Sequence, residues 1–163
     1  DVMTRLRDEL LRWDRSEIDE VIDLYRADPG IAPLQAHRTE IDHIFTGDDP
    51  ISMRDRAGDM ARRKGSSLAA EIHEALSTRC PMTMHVFRRL LDMADEIADI
   101  PAALMLDYHL ALRMTRRDDF REGVRAVLVD KTNDAAWTPA RLEDVEASMV
   151  DAIFDRNGLP SLR

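Results

Sequence analysis

Apolar residues recur at helical spacing through most of this chain. Side chains three, four and seven positions apart lie on one face of a helix, and four early stripes follow that spacing. They are Met3, Leu6, Leu10 and Trp13; Ile18, Val21, Ile22 and Tyr25; Leu34, His37, Ile41 and Ile44; and Met53, Ala57, Met60 and Ala61. The short run Val127–Val129 is the best strand candidate, and we interpret it as helical. The pattern predicts an all-α fold, an irregular array of about eight or nine helices in one domain over residues 1–163.

Capping residues and helix breakers place the boundaries of these helices. Ser16 with Asp19, and Ser52 with Asp55, have the spacing of a helix-initiating capping box. Gly65 is a candidate for the residue just beyond a helix, where a left-handed backbone is common.

Further along, the pattern predicts a helix over 67–78, a break at Cys80-Pro81 and a long helix from Thr83 to about residue 98. Asp99 is predicted to cap the next helix, with a proline tolerated in its first turn. A last helix is predicted over about 147–156.

Composition and charge narrow the class of protein. Hydrophobic residues make up 44% of the chain and charged residues 34%, which is typical of a globular protein. No apolar run reaches the roughly 18–20 residues that a membrane span requires. The net charge of −9 argues against nucleic acid as a partner, and the single cysteine fits a reducing compartment. These properties predict a soluble cytoplasmic protein that binds neither nucleic acid nor membrane.

The most distinctive segment reads DFREGVRA at 119–126, DK at 130–131 and WTP at 137–139. Asp119 and Glu122 have the spacing of an N-cap and its reciprocal partner, which predicts a capping box at the start of a helix. Phe120, Val124 and Leu128 are four residues apart and form one apolar stripe.

This segment resembles the C-terminal signature of the 3-hydroxyisobutyryl-CoA hydrolases, a thioesterase branch of the crotonase (enoyl-CoA hydratase) superfamily. The run Val124-Arg125-Ala126 favours the hydrolase branch over the hydratases. The resemblance is strongest over 99–156, weaker over 39–76 and negligible before residue 39. Its structural signature residues are Asp119, Phe120, Glu122, Gly123, Trp137 and Pro139.

The resemblance implies that the chain is the C-terminal helical part of such an enzyme, without its α/β core. In the family, that core holds the oxyanion hole and the catalytic carboxylates, so no catalytic residue is expected here. The implied activity is hydrolysis of a coenzyme A thioester in valine catabolism, with no separate cofactor. The helices would cover the acyl pocket and pack on the core or a neighbouring subunit. The alternatives are the C-terminal segment of an enoyl-CoA hydratase or isomerase, and a free-standing helical interaction or dimerisation module.

Two basic residues are candidates for contact with coenzyme A. Hydratase-type relatives place a basic residue near the nucleotide at about this point, which implicates Arg125 and Lys131. Alternatively, Arg125 forms an ion pair with Asp119 or Glu122 and stabilises the helix. The histidines lack the spacing of a metal site, so no metal is predicted.

Overall fold

The computed structural model describes residues 1–28, 30–47 and 49–158. Within these residues it contains nine α-helices and no strand, which confirms the predicted all-α class. The helices are α1 (Val2–Leu10), α2 (Ile18–Leu24), α3 (Arg38–Ile44), α4 (Pro50–Lys64), α5 (Ser67–Thr78), α6 (Pro81–Asp92), α7 (Ile100–Met114), α8 (Asp118–Val124) and α9 (Ala147–Phe154). No helix among the described residues is both long and apolar enough to cross a membrane.

The chain divides into two compact units, Asp1–Arg38 and Thr39–Arg163. In the first unit a capping box opens a short helical turn, but its first residue is Asp14. The Asp14 carboxylate accepts from the backbone N–H of Ser16 at 3.1 Å, and Glu17 accepts from the backbone N–H of Asp14 at 3.4 Å. The prediction of Ser16 as the cap is therefore wrong. Asp14 has an extended backbone, so its carboxylate lies within hydrogen-bond distance of the free backbone N–H of Ser16 at the start of the turn.

The second unit contains two clusters of buried side chains. The larger joins α6, α7 and α9 through Met82, Val86, Leu106, Leu110, Val150 and Ile153. The smaller joins α3, α4 and α5 through Ile44, Ala57, Met60 and Ala69. The larger cluster fixes α6 and α7, which form two walls of the candidate site described below.

Helix α4 begins earlier than predicted. Its N-cap is Asp49, whose carboxylate accepts from the backbone N–H groups of Ile51 and Ser52, each at 3.1 Å. Pro50 occupies the first helical position, where the missing N–H costs nothing. The predicted start at Ser52 is therefore wrong, and the Ser52 hydroxyl instead donates to Asp49. The predicted end is confirmed, because Gly65 is left-handed with φ 65°.

Some of the predicted boundaries of the next helices are confirmed and others are wrong. Helix α5 has the predicted bounds, and Asp99 caps α7 by accepting from the backbone N–H of Ala102 at 2.8 Å. Helix α6 begins at Pro81 rather than Thr83 and ends at Asp92 rather than near residue 98, where a short 3-10 turn, Ala94–Glu96, and the extended Ile97 follow. The helical interpretation of Val127–Val129 is confirmed, since these residues belong to a π-helical turn, Arg125–Val129, that continues α8.

Candidate functional site

Asp119 is the buried polar centre of the segment that resembles the hydrolase signature. Its side chain is 6% exposed and lies on α8. One carboxylate oxygen accepts from Arg117 Nη2 at 2.7 Å, and the other accepts from the backbone N–H of Thr138 at 2.7 Å. Arg117 also donates to the carbonyl of Thr138 at 2.9 Å. Asp119 and Arg117 together therefore hold both polar backbone groups of Thr138.

Glu122 fixes the same loop one helical turn later. It receives two hydrogen bonds from Arg125, at 2.9 and 2.7 Å, and one from the backbone N–H of Ala136 at 2.8 Å. Arg125 extends the network by ion pairs to Asp130 at 2.7 Å and Asp134 at 3.0 Å. The ion-pair alternative for Arg125 is confirmed with Glu122 as its partner.

Gly123 makes room for an aromatic side chain of the loop. A Cβ at this position would lie 3.2 Å from Cη2 of Trp137, closer than side chains normally pack. The indole N–H of Trp137 donates to the carbonyl of Thr78 at the end of α5, at 2.8 Å. The missing side chain of Gly123 therefore lets the indole lie against α8 while it bonds to α5.

We call these contacts the loop clamp: Arg117, Asp119, Glu122, Gly123 and Arg125 acting on residues 130–139. The predicted capping box is wrong, because Arg117 precedes the first helical residue and Asp119 lies inside α8. The Asp119 and Glu122 carboxylates turn toward the loop instead of the helix N–H groups. The sequence pattern predicted no role for Arg117 or Thr138. The only signal for Arg117 was a basic residue two positions before an acidic one.

A wide apolar groove lies beside the loop clamp, between α6, α7 and α8 with its π-helical turn. Its volume is about 600 Å³, and its walls are almost wholly apolar. Val86 and Leu110 belong to the core and line its base. The remaining lining residues are Cys80, Thr83, Phe87, Leu90, Asp107, Ala111, Met114, Asp119, Phe120, Gly123, Val124, Val127, Leu128 and Trp137.

The predicted stripe of Phe120, Val124 and Leu128 lies on one wall of this groove. Phe120 is 50% exposed and Leu128 67% exposed, so within the part of the chain that the structure describes no helix covers this stripe. Contiguous exposed apolar surface of this kind is typical of ligand grooves and of protein interaction sites.

The two basic candidates differ in their surroundings. The Arg125 guanidinium is engaged by three carboxylates and is 40% exposed. Lys131 is exposed and has a left-handed backbone, φ 58°.

Pro139 follows a cis peptide bond and is half-buried in the loop that the clamp holds. Among the described residues, no three His, Cys, Asp or Glu side chains lie close enough together to hold a metal ion.

The loop clamp makes a specific contribution to the pH dependence of stability. Hydrogen bonds from Arg125 and from the Ala136 N–H lower the pKa of Glu122 from 4.5 to about 2. Since the folded-state pKa lies below the unfolded one, this contribution is complete above the ordinary pKa and is lost as the pH falls toward the lowered value.

We expect Glu122→Gln to destabilise the chain at neutral pH and to lose that effect in acid. The difference in free energy of unfolding between wild type and variant should narrow between about pH 5 and about pH 2. Urea unfolding over that range measures it, with Glu20→Gln on α2 as an exposed control. A difference that stays constant with pH would contradict the assigned role of Glu122.

Comparison with known proteins shows the family to which this fold belongs. The chain belongs to the enoyl-CoA hydratase/isomerase family, which it matches over residues 1–154, and thus to the crotonase superfamily. Because the match starts at residue 1, the prediction of negligible resemblance before residue 39 is wrong.

Two relatives similar in sequence are named as 3-hydroxyisobutyryl-CoA hydrolases. The chain is 28% identical over 155 residues to the mitochondrial 3-hydroxyisobutyryl-CoA hydrolase of Xenopus laevis, covering 91% of this chain and 39% of that protein. It is 30% identical over 165 residues to the probable 3-hydroxyisobutyryl-CoA hydrolase 2 of Arabidopsis thaliana, covering 94% and 43%. The chain therefore spans about two fifths of the length of these relatives.

Two solved structures share the fold. A carnitinyl-CoA dehydratase from Mycobacterium thermoresistibile superposes with a TM-score of 0.78 at 25% identity, over 93% of this chain and 43% of that one. An enoyl-CoA hydratase from Rhodobacter sphaeroides 2.4.1 superposes with a TM-score of 0.66, also at 25% identity, over 90% and 44%. The all-helical chain thus corresponds to one part of a larger crotonase-type protein.

Proposed function

We propose that this chain is the C-terminal helical part of an enzyme that hydrolyses 3-hydroxyisobutyryl-CoA in valine catabolism. The observation that carries the proposal is its similarity to named hydrolases over nine tenths of its length, at 28–30% identity. The loop clamp supports it, because the residues that resemble the hydrolase signature act together on one loop. In this role the helices cover the acyl pocket and pack on the α/β core.

The proposed reaction is simple hydrolysis. Water adds to the thioester carbonyl, the carbon–sulfur bond breaks, and 3-hydroxyisobutyrate and the free thiol of coenzyme A are released. The catalytic groups belong to the α/β core, and the reaction requires no cofactor beyond its thioester substrate. A single cysteine supports a reducing compartment, for which we propose the cytoplasm.

A hydratase or dehydratase is the second candidate function. It is favoured by the two solved structures that share the fold, a carnitinyl-CoA dehydratase and an enoyl-CoA hydratase. The two candidates differ in product, because hydrolysis frees the coenzyme A thiol whereas hydration leaves the thioester intact.

We expect the full-length protein to release free thiol from 3-hydroxyisobutyryl-CoA, and the 163-residue chain alone to release none. A thiol-reactive chromophore measures the release, and loss of the enoyl absorbance of crotonyl-CoA measures hydration in parallel. Hydration without thiol release would select the second candidate. Turnover by the 163-residue chain above the buffer background would contradict the assignment of the catalytic groups to a separate core.

We propose that Lys131, rather than Arg125, contacts the phosphates of coenzyme A. Arg125 is engaged by three carboxylates, whereas Lys131 is exposed at the edge of the same loop. An exposed ion pair stabilises by about 0.2–1 kcal/mol, so Lys131→Gln should raise the KM of the full-length enzyme up to about fivefold, with kcat unchanged. Lys64→Gln, the other lysine of the chain, is the matched control. An unchanged KM in Lys131→Gln would contradict the contact.

A further inference from the structure

Three of the residues that line the apolar groove carry an oxygen in the side chain, and their contacts differ. The Asp119 carboxylate accepts from Arg117 and from the backbone N–H of Thr138. The other two are Asp107 on α7 and Thr83 on α6. Among the residues that the structure describes, neither the Asp107 carboxylate nor the Thr83 hydroxyl forms a hydrogen bond or an ion pair. Both groups therefore keep their hydrogen-bonding capacity for a ligand in the groove.

These two polar groups have apolar neighbours along their own helices. Leu110 and Ala111 follow Asp107 by one turn of α7, Val86 follows Thr83 by one turn of α6, and all of them line the groove. Asp107 is exposed and Thr83 is half-buried. Val86 and Leu110 belong to the larger core cluster, so both helices are fixed before a ligand binds. The fold thus presents two polar groups on a rigid apolar surface.

The two groups select the chemistry of the ligand. A carboxylate accepts hydrogen bonds, whereas a threonine hydroxyl both donates and accepts. An alcohol also does both, so one hydroxyl group of a ligand can donate to Asp107 and accept from Thr83. An ammonium group would satisfy Asp107 but offers no acceptor to Thr83. Because apolar pockets with a few placed polar groups are typical of small-molecule sites, the groove fits a ligand with an aliphatic body and one hydroxyl group.

We propose that Asp107 and Thr83 bind the 3-hydroxyl group of the acyl chain, and that they set a preference of the enzyme for 3-hydroxyacyl thioesters. The inference rests on the proposed function, in which these helices cover the acyl pocket. The hydroxyl group donates to Asp107 and accepts from Thr83, while the carbon chain contacts the apolar walls of the groove. Neither residue takes part in breaking the carbon–sulfur bond, so both determine specificity and not the chemical step.

Two thioesters that differ only in this hydroxyl group test the role of Asp107 in the full-length protein. The wild type should hydrolyse 3-hydroxyisobutyryl-CoA with a kcat/KM at least about tenfold above that for isobutyryl-CoA, because the analogue leaves both polar groups unpaired. Asp107→Leu should reduce this ratio below about threefold and leave kcat/KM for isobutyryl-CoA within about threefold of wild type. A wild type without the preference, or a variant that retains it, overturns the proposal.

Asp95→Leu is the matched control. Asp95 is an exposed aspartate of the turn Ala94–Glu96 and does not line the groove. This variant should keep the wild-type ratio of the two kcat/KM values. A ratio lowered equally by Asp95→Leu and Asp107→Leu would show a general effect of lost charge and overturn the assignment to Asp107.

Variants of Thr83 test the second hydrogen bond. Thr83→Val removes the hydroxyl group with little change of shape and should lower the ratio at least about threefold, whereas Thr83→Ser should match wild type. Since one ligand hydroxyl binds both residues, Thr83→Val should have a smaller effect in the Asp107→Leu background than in wild type. A Thr83→Val ratio equal to that of wild type overturns the shared binding of the hydroxyl group.

The proposed reaction and the hydroxyl site fail separately. Thiol release from neither thioester would refute the reaction, and calorimetric Kd values of the same two thioesters would then decide the site. At least about tenfold tighter binding of the hydroxylated thioester, lost in Asp107→Leu, would support the site without the reaction. Equal affinities would overturn it. Thiol release from both thioesters with equal kcat/KM would refute only the hydroxyl site.

Discussion

Asp119→Ala is expected to lower the free energy of unfolding of this chain by about 2–4 kcal/mol, because it leaves two polar partners without an acceptor. The Arg117 guanidinium loses the carboxylate that it binds at 2.7 Å, and the Thr138 N–H loses its acceptor. Arg117 is 24% exposed, so water recovers part of the loss. Urea unfolding monitored by circular dichroism measures the change.

The neighbouring residue provides the control for this experiment. Asp118 is also acidic and paired with an arginine, Arg121, but both side chains are more than three quarters exposed. Asp118→Ala should therefore change the free energy of unfolding by less than about 1 kcal/mol. Equal effects of the two alanine substitutions would refute the role of Asp119 in holding the loop.

Met82→Ala is expected to destabilise the chain by about 2–5 kcal/mol, because it leaves a cavity in the larger core cluster. Met82 is 0% exposed and packs on α6 against residues of α7 and α9. The same substitution at Met3, which is 68% exposed on α1, should change stability by no more than about 0.5 kcal/mol. Urea midpoints of both variants measure the difference. A Met82→Ala variant as stable as Met3→Ala would contradict the position of this core.

Helix boundaries could be predicted from the sequence where they depend on residues that are close along the chain. The bounds of α5 and the Asp99 cap of α7 follow from residues within one turn of each boundary. The predicted start of α4 was wrong because two residues, Asp49 and Ser52, can both act as its N-cap. Both can accept from free N–H groups, and Asp49 prevails because Pro50 fits the first helical position.

The candidate site was predictable as a set of residues but not as an arrangement. The spacing of Asp119 and Glu122 fits a capping box, and nothing within one helical turn reveals that Thr138 and Ala136 supply their hydrogen-bond donors. Likewise, periodicity places Phe120 and Leu128 on one face but does not reveal that this face is uncovered. Both features depend on residues well beyond one helical turn.

The loop clamp has a consequence for the order of folding. Its hydrogen bonds join residues no more than 21 positions apart, as between Arg117 and Thr138. By contrast, His85 bonds to the Leu142 carbonyl across 57 positions. The entropy lost on closing a segment grows with its length, so the shorter closure is easier to reach. We expect the loop around Ala136 and Thr138 to dock on α8 early, ahead of both the contact of α6 with Leu142 and the bond from Trp137 to Thr78, which spans 59 positions.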